Sequence, residues 1–369
     1  MRLPTVPGAQ PITEEMTCVL NQMPDPSGGE VTARLERELA HALSIEHVVA
    51  VSSGTAALHA ALAACGVGTG DEILVPALSV VMTVAPLAAL GAQPVFIDSD
   101  PYTLDLDYDD AARKVTSHTR AILPVHLWGR MGDPTALSTF ASQHGLAVVE
   151  DAAQAIGTSR GGRRAGTVGS VGCFSMKDGK ILWSGEGGFL VTASLEISEH
   201  ARAFRSHWQT PPAGQTPQSH LATNTRLAAP LAAIALANLR RLESLVELRR
   251  AQTHHLLHAL EQVPGLRALA PDTREEWNGY APLVHVDLPR PRAFAEHLAQ
   301  QGVLNSTGSF RLVPCDVRPM FTGPATATCH GAAQVLDHTL AVLITEGHTE
   351  PALDHYAAVI AREAAAWVT

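Results

Sequence analysis

CFSMKDGKILWSGEGGFLVT, from Cys173 to Thr192, is the most informative segment of this chain. Hydrophobic runs at its two ends predict β-strands, and the glycine-rich SGEGG between them predicts a tight turn. The connection carries two lysines, Lys177 and Lys180. The unprotonated amine of a lysine can attack a carbonyl and form an imine. The segment therefore predicts a reactive lysine between two strands, although each lysine taken singly also fits an ordinary surface side chain.

Short hydrophobic runs alternate with helical patterns over most of the first half of the chain. The runs predict strands at 47–51, 72–76, 94–98, 121–126, 146–150, 172–176 and 188–192. Helices are predicted between them at 55–65, 82–91 and 135–144. Because such alternation builds strand–helix–strand units, it predicts an α/β fold in which a mostly parallel mixed sheet has helices on both faces.

The rest of the chain predicts a second, smaller unit. A long helical pattern at 227–262 leads into it, and its elements are a strand at 281–288, a helix at 292–302, an irregular segment at 303–326 and helices at 331–344 and 350–367. A chain of 369 residues is too long for one ordinary core, so two domains are expected. We predict a large domain at residues 1–245 and a smaller C-terminal α/β domain at residues 246–369.

Composition narrows the class of protein. Hydrophobic residues make up 46% of the chain and charged residues 17%, which is typical of a globular protein, and the net charge of −10 argues against nucleic acid as a partner. The five cysteines are widely spaced and lack a C-x-x-C pair, so we expect reduced thiols, a cytoplasmic location and no metal site. The N-terminus lacks an apolar signal core, and prolines and a glycine interrupt the longest apolar stretch, 73–97, so no membrane span is predicted.

Two other segments lie where strands meet helices or loops. SSGTAAL, Ser52 to Leu58, joins a strand to a helix, and its small residues allow backbone N–H groups to bind an anion at the helix N-terminus; a plain helix cap by Ser53 or Thr55 explains it equally. In VVEDAAQAIG, residues 148–157, Asp151 follows a hydrophobic strand at the end where ligands bind in open α/β sheets. A carboxylate there suits a protonated ring nitrogen, and a loop-capping aspartate is the alternative.

Taken together, in this order and spacing, the motifs resemble one known family. SSGTAALHAAL, EDAAQAIG, FSMKDGKILWSGEGG and ATNTRL are similar to the pattern of the DegT/DnrJ/EryC1/StrS family, the sugar-aminotransferase branch of fold type I enzymes that use pyridoxal 5'-phosphate (PLP). The resemblance extends over nearly the whole chain, from PITEEM to the last helix. It implies the fold type I aminotransferase fold, PLP as cofactor and the chemistry of amino-group transfer.

The resemblance also implies roles for individual residues. Lys180, five residues before the G-E-G-G turn, matches the lysine that holds PLP as a Schiff base, whereas Lys177 does not. Asp151 matches the partner of the pyridine nitrogen, which makes Lys180 and Asp151 the predicted catalytic pair. The other implied cofactor contacts are Gly54 and Thr55 at the phosphate, Ser175 at the phosphate, Ala153 under the ring, Gln154 at the ring hydroxyl, and Asn224, which reaches the phosphate from the neighbouring subunit. The last match implies a homodimer with shared active sites.

The chain departs from the family pattern in two places that concern substrate. The family commonly has an aromatic residue over the cofactor ring, and in VPALSV that position is Val80. A histidine-containing stretch of the C-terminal domain is replaced by STGSFRLVPCDVRPM, where Arg311 is a candidate anion ligand. Arg226, in ATNTRL, is a second candidate for an anionic substrate. A structural salt bridge is the alternative for Arg226, and a solvated loop is the alternative for Arg311.

The implied reaction moves an amino group from glutamate or glutamine to a keto-sugar, usually nucleotide-linked in this family, or to a keto-cyclitol, in the biosynthesis of amino sugars or antibiotics. Three alternatives stay open. A PLP-dependent sugar dehydratase of the same family usually has histidine where this chain has Lys180. Another PLP lyase would catalyse elimination, and a non-catalytic PLP-binding regulatory protein is favoured only by Val80.

Overall fold

The computed structural model describes residues 3–4, 10–22, 29–321 and 329–367. Nine strands and nine helices come first in the chain. The strands are β1 His47–Val51, β2 Glu72–Pro76, β3 Gln93–Ile97, β4 Thr119–Ile122, β5 Ala147–Asp151, β6 Ser159–Arg160, β7 Arg163–Arg164, β8 Val171–Ser175 and β9 Gly188–Thr192. The helices are α1 Gln10–Gln22, α2 Gly29–Leu43, α3 Gly54–Ala64, α4 Val81–Ala89, α5 Tyr108–Lys114, α6 Pro134–His144, α7 Leu195–Phe204, α8 Ala229–Leu239 and α9 Leu242–Leu260.

A seven-stranded sheet in the order β1-β9-β8-β5-β4-β2-β3 organises this part of the molecule. Every neighbouring pair from β8 to β3 is parallel, and β9 runs antiparallel to both β8 and β1. The strands are buried on both faces, since Val49 and Val51 of β1 join one hydrophobic cluster while Val48 and Ala50 join another. Helices therefore cover both faces, and the predicted α/β fold with a mostly parallel mixed sheet is confirmed.

The C-terminal elements form a smaller sheet with its own helices. The strands are β10 Leu266–Ala268, β11 Glu275–Glu276, β12 Leu283–Val286 and β13 Thr339–Ala341, and the helices are α10 Pro291–Gln300, α11 Ser306–Phe310, α12 His330–His338 and α13 Glu350–Trp367. Strands β10, β12 and β13 pair antiparallel around a separate hydrophobic cluster, while β11 pairs with β6. The domain boundary between residues 245 and 246 stays a prediction; that position lies inside α9.

Two elements of the structure differ from the predicted ones because of tertiary contacts. The segment 331–344 forms a helix only as far as His338, because Leu340 then pairs with Val284 of β12 and is fully buried. The helix predicted at 227–262 is divided between α8 and α9. At that break the Arg241 side chain donates to the Asn238 side chain at 3.0 Å. Residues 322–326 of the predicted irregular segment lie outside the described residues, and its earlier part contains α11 and a 3-10 turn, Cys315–Val317.

None of the helices in the described ranges combines the length and the apolar character that a bilayer crossing requires.

Candidate active site

The three sequence motifs meet at one edge of the large sheet. Strands β1, β5 and β8 run parallel, so their carboxyl ends lie on the same side. Gly188, the first residue of antiparallel β9, pairs with Val51 on one side and Ser175 on the other. Asp151 pairs with Cys173 of the adjacent strand. The SSGT turn, the EDAAQ loop and the lysine turn are thereby brought together.

The turn after β1 has the features of an anion cup. A Cβ atom on Gly54 would lie 2.8 Å from Cβ of Ser175, and one on Gly188 would lie 2.5 Å from the carbonyl of Ser53, so the backbones approach as closely as glycine allows. The Ser53 side chain caps α3 by accepting from Ala56 N at 3.0 Å. The N–H groups of the first helical residues lack acceptors within the helix and point, with its positive dipole, towards this turn.

Asp151 is a buried carboxylate, 5% exposed, at the end of β5. One oxygen accepts a hydrogen bond of 2.7 Å from the Thr83 hydroxyl, and the other accepts one of 3.1 Å from Ala153 N. Among the residues that the structure describes, no lysine, arginine or histidine forms an ion pair with it. A buried charge without a counter-ion is unfavourable, so this carboxylate suits a cationic ligand group.

Lys180 lies in the turn between β8 and β9. Its Nζ donates to the Tyr280 hydroxyl at 3.3 Å and lies 5.1 Å from the centre of the Tyr280 ring. Lys177 is exposed, and its carbonyl accepts from Lys180 N at 3.1 Å. Gly185, with φ of +91°, supplies the left-handed conformation that closes this turn. Of the two lysines, Lys180 is half-buried and Lys177 faces solvent.

A buried asparagine joins Tyr280 to the loop after Asp151. The Asn278 side-chain amide donates to the carbonyls of Gln154 and Ile156, both at 2.9 Å, and its oxygen accepts from Tyr280 N at 2.9 Å. The Gln154 side chain in turn accepts from the backbone N–H of Trp128 at 2.6 Å. These bonds hold one predicted site residue, Gln154, and the partner of Lys180 in one network.

A buried histidine–carboxylate contact lies next to Asp151, which follows Glu150 in the chain. His126 Nε2 lies 2.9 Å from a carboxylate oxygen of Glu150, and the same carboxylate accepts backbone N–H bonds from Gly166, Val168 and Gly169. Burial acts to raise the pKa of Glu150, but the hydrogen bond with His126 and those from the backbone outweigh it, so the pKa is lowered. His126 N also donates to the Asp151 carbonyl at 3.0 Å, which anchors the strand end.

The remaining predicted residues lie around this centre. Val80 is half-buried and immediately precedes α4, three residues before Thr83. Asn224 and Arg226 are exposed on a loop whose Thr225 carbonyl accepts from Ser52 N at 2.8 Å, next to the SSGT turn. Arg311 is exposed at the end of α11 and forms no ion pair within the described ranges. Within the described residues, no hydrogen bond or ion pair joins Arg311 to Lys180.

Sequence reasoning missed Thr83, Asn278 and Tyr280. Each acts on a residue 68 or more positions away or belongs to the C-terminal part, so no local pattern marked it. The prediction of no metal site stays untested. In the described part of the chain one group, His285, Asp287 and His338, has potential ligand atoms within 4.8 Å of one another, on the small sheet rather than at this edge.

Comparison with known proteins decides the family. Residues 9–360 match the model described as the DegT/DnrJ/EryC1/StrS aminotransferase family. The chain belongs to this family. Aminotransferase activity and PLP, which the motifs implied, are accordingly the activity and the cofactor of its family. The resemblance and the enzyme class predicted from the sequence are confirmed.

Two relatives and one solved structure show the range of this family. A Geobacillus stearothermophilus protein named pleiotropic regulatory protein is 33% identical over 300 residues, 79% of this chain and 78% of that protein. The L-glutamine:2-deoxy-scyllo-inosose aminotransferase of Streptoalloteichus tenebrarius is 39% identical over 246 residues, 64% of this chain and 58% of that enzyme. The crystal structure of the aminotransferase TlmJ from Streptoalloteichus hindustanus superposes with a TM-score of 0.87 at 28% identity, covering 99% of this chain and 98% of that one.

The residues of this DegT-family chain fit PLP. The cup formed by Gly54, Thr55 and Ser175, too close for an added Cβ at Gly54, suits the phosphate. The uncompensated carboxylate of Asp151 suits the protonated pyridine nitrogen. Lys180 follows these residues in the chain, and its amine donates to one hydroxyl, that of Tyr280.

Proposed function

We propose that this chain is a PLP-dependent aminotransferase that moves an amino group from glutamate or glutamine to the keto group of a cyclitol or of a sugar, nucleotide-linked in the usual case. The observation that carries the proposal is the meeting of Lys180, Asp151 and the Gly54–Ser175 cup at one sheet edge. The family membership and the glutamine-dependent relative support the same reaction class.

The proposed roles follow from the surroundings of each residue. PLP, when bound, supplies an electron sink for negative charge at the carbon beside the reacting nitrogen. Asp151, held by Thr83, keeps a proton on the ring nitrogen. The Lys180 amine holds the cofactor and, once released, carries the proton between donor carbon and cofactor as general base and acid. Tyr280 orients that amine.

The other proposed site residues bind the cofactor and take no part in proton transfer. Backbone N–H groups at Gly54 and Thr55 and the Ser175 hydroxyl bind the phosphate, Ala153 packs under the ring, and Gln154 reaches the ring hydroxyl. We further propose a homodimer in which Asn224 completes the partner's phosphate site. The exposure of Asn224 beside the SSGT turn supports this homodimer. We also propose a cytoplasmic location. Val80, Arg226 and Arg311 are proposed substrate contacts, and of these Val80 and Arg226 lie in segments that reach this edge.

The test compares wild type with Lys180→Ala and with Lys177→Ala as matched control. Each purified protein is supplied with PLP, L-glutamine or L-glutamate, and either 2-deoxy-scyllo-inosose or a nucleotide-linked keto-sugar, and release of the donor's keto acid is measured. We expect ping-pong turnover by wild type and Lys177→Ala and loss of at least a thousandfold in Lys180→Ala. Undiminished turnover by Lys180→Ala would refute the proposed role.

A second candidate, a non-catalytic PLP-binding regulator, is favoured by Val80 and by the name of the Geobacillus relative. The same assay separates the two functions. A regulator would bind PLP and consume no donor, whereas the enzyme would release one keto acid for each amine transferred. A dehydratase or other lyase would instead release water, ammonia or sulfide from its substrate without net amine transfer.

A further inference from the structure

Two histidines and an aspartate form a cluster on the small sheet, the His285–Asp287–His338 cluster. His285 lies in β12, Asp287 directly follows that strand, and His338 is the last residue of α12, immediately before β13. One potential ligand atom from each residue lies within 4.8 Å of the other two. Within the part of the chain that the structure describes, no other three side chains of these types meet that spacing.

The strand places two of the three side chains on one face. Alternate residues of an extended chain point to opposite faces. Val284 and Val286 are buried in the hydrophobic cluster of the small domain, whereas the side chains of His285 and Asp287 are 24% and 63% exposed. Asp287 N donates to the Gly265 carbonyl at 2.7 Å, which continues the ladder between β10 and β12 by one residue. The backbone therefore fixes the spacing of the imidazole and the carboxylate.

A backbone carbonyl orients the third side chain. Nδ1 of His338 lies 3.0 Å from the carbonyl oxygen of Val286, and because a carbonyl only accepts, this nitrogen carries the proton. The lone pair of the neutral ring is then on Nε2. Histidines that bind metals commonly have this arrangement, in which one ring nitrogen donates to a carbonyl and the other is left for the metal.

The contacts within the cluster fit the coordination sphere of a metal ion. Nε2 of His285 lies 3.0 Å from Oδ1 of Asp287. Two ligand atoms of a tetrahedral zinc ion, each about 2.0–2.1 Å from the metal, are separated by roughly 3.3 Å. The rings of His285 and His338 stack with their centroids 5.5 Å apart and 14° between their planes. Small rotations of the side chains would therefore bring all three donors to one ion.

The types of donor determine which metals suit the cluster. Imidazole nitrogens favour zinc, copper, nickel and iron, whereas calcium and magnesium prefer oxygen ligands. Two imidazoles and one carboxylate leave the fourth position of a tetrahedral ion to water. Arg267 pairs with His285 across β10, so it adds a positive charge on the same face and should weaken the binding of any cation.

We propose that the His285–Asp287–His338 cluster binds one Zn²⁺ ion, which clips the end of α12 to β12. The start of α12 is held beside the large sheet, because the N–H groups of Gly331 and Ala332 donate to the carboxylate of Asp98, which follows β3, at 2.9 and 2.8 Å. A metal ion at the other end would thus hold the helix at both ends and stabilise the packing of the small sheet against the large domain. The site goes beyond the proposed aminotransferase reaction and does not depend on it.

Binding is tested on the full PLP-loaded chain after removal of any purification tag. Calorimetric titration with Zn²⁺ gives the affinity and the number of ions bound. Titration with Co²⁺, followed by visible difference spectra, reports whether nitrogen and oxygen or thiolate ligands surround the ion. We expect one ion per chain, a Co²⁺ spectrum without thiolate charge-transfer bands, and a higher melting temperature in Zn²⁺ than in EDTA, because a ligand of the folded state stabilises it.

Two variants remove a ligand. His338→Ala deletes one imidazole, and Asp287→Asn removes the negative charge of an exposed side chain while keeping its shape. Since loss of an outer-shell partner alone weakens metal sites by roughly tenfold to a hundredfold, each variant should bind Zn²⁺ at least about tenfold more weakly than wild type. His258→Ala is the matched control and should bind as wild type does. Its ring also stacks on another histidine, His254, at 6.1 Å and lies 3.2 Å from Glu261, on α9 and its C-cap and outside the cluster.

His338→Ala also loses the bond to the Val286 carbonyl, so Asp287→Asn is the variant that decides the result if the first one unfolds. Tighter Zn²⁺ binding in Arg267→Gln, which removes the nearby positive charge, would support the site further. Absence of saturable Zn²⁺ binding by wild type, undiminished binding by Asp287→Asn, or an equal loss in His258→Ala would each overturn it. Release of the donor's keto acid tests the aminotransferase reaction separately, so failure of one proposal is distinguishable from failure of the other.

Discussion

The Thr83 hydroxyl donates a 2.7 Å hydrogen bond to the Asp151 carboxylate, and the two residues are separated by 68 positions in the chain. Thr83 is fully buried in the first turn of α4, and Asp151 ends β5. The bond fixes the direction of the carboxylate from the segment that also carries Val80. We therefore expect a change at Val80 to affect the direction of the Asp151 carboxylate through Thr83.

Thr83→Val should weaken PLP binding by roughly tenfold to a hundredfold, because a hydrogen bond to a charged group contributes about 1.5–3 kcal/mol. Valine keeps the shape of threonine and removes only the hydroxyl, and Thr83→Ser restores it as a control. PLP titration followed by its visible absorbance measures the dissociation constant. Equal affinity of Thr83→Val and wild type would show that Asp151 needs no orientation from α4.

Gly54→Ala should damage the phosphate cup, because the new methyl group would lie 2.8 Å from Cβ of Ser175. Overpacking of this kind costs about 1–3 kcal/mol, and we expect a lower melting temperature and weaker PLP binding. Gly68→Ala is the matched control, since a Cβ there has open space around it. A similar loss in both variants would count against a specific cup.

Tyr280→Phe should lower kcat about threefold to tenfold with little change in donor KM, because it removes a single hydrogen bond of ordinary strength. The hydroxyl is the acceptor for Lys180 at 3.3 Å, whereas the phenylalanine ring keeps the packing. Steady-state kinetics separate the two parameters. A change confined to KM would assign Tyr280 to donor binding and contradict a role in orienting the lysine.

Stability should depend on pH through Glu150. Its pKa is lowered in the folded protein, so its stabilising contribution is fully present above its ordinary pKa, about 4.3, and is lost as pH falls through the lowered value. Glu150→Gln should reduce the free energy of unfolding by about 1–3 kcal/mol at pH 7. The difference from wild type should shrink below pH ~4. Urea denaturation at both pH values measures it, with exposed Glu247→Gln as control.

Shared active sites predict complementation between two weakened variants. Asn224→Ala loses the contact proposed to reach the partner's phosphate site, and Lys180→Ala loses the lysine. Mixing them by unfolding and refolding should restore roughly a quarter of wild-type activity, since half of the dimers are mixed and each has one intact site. Size-exclusion chromatography verifies the dimer. No recovery in mixed dimers would assign Asn224 to the site of its own chain.

Local sequence was sufficient to predict the strands that adjoin the motifs. The strands at 47–51, 72–76 and 188–192 have the predicted bounds, because runs buried on both faces carry an unmistakable hydrophobic signal. Elements whose state depends on a distant partner were predicted less well. Strand β13 lies in a segment, 331–344, that the sequence predicts to be helical, because only pairing with β12 makes these residues a strand.

The family and the order of the large-sheet strands along the chain could be predicted from residues that are adjacent in the chain, and the motifs propose Lys180 and Asp151 as the catalytic pair. The side chains that surround these two residues come from distant segments and could not be predicted from local patterns. The contact of Thr83 with Asp151 and that of Tyr280 with Lys180 depend on segments 68 and 100 residues apart packing together. The free energy of such contacts comes from burial and mutual geometry, which a linear pattern does not record.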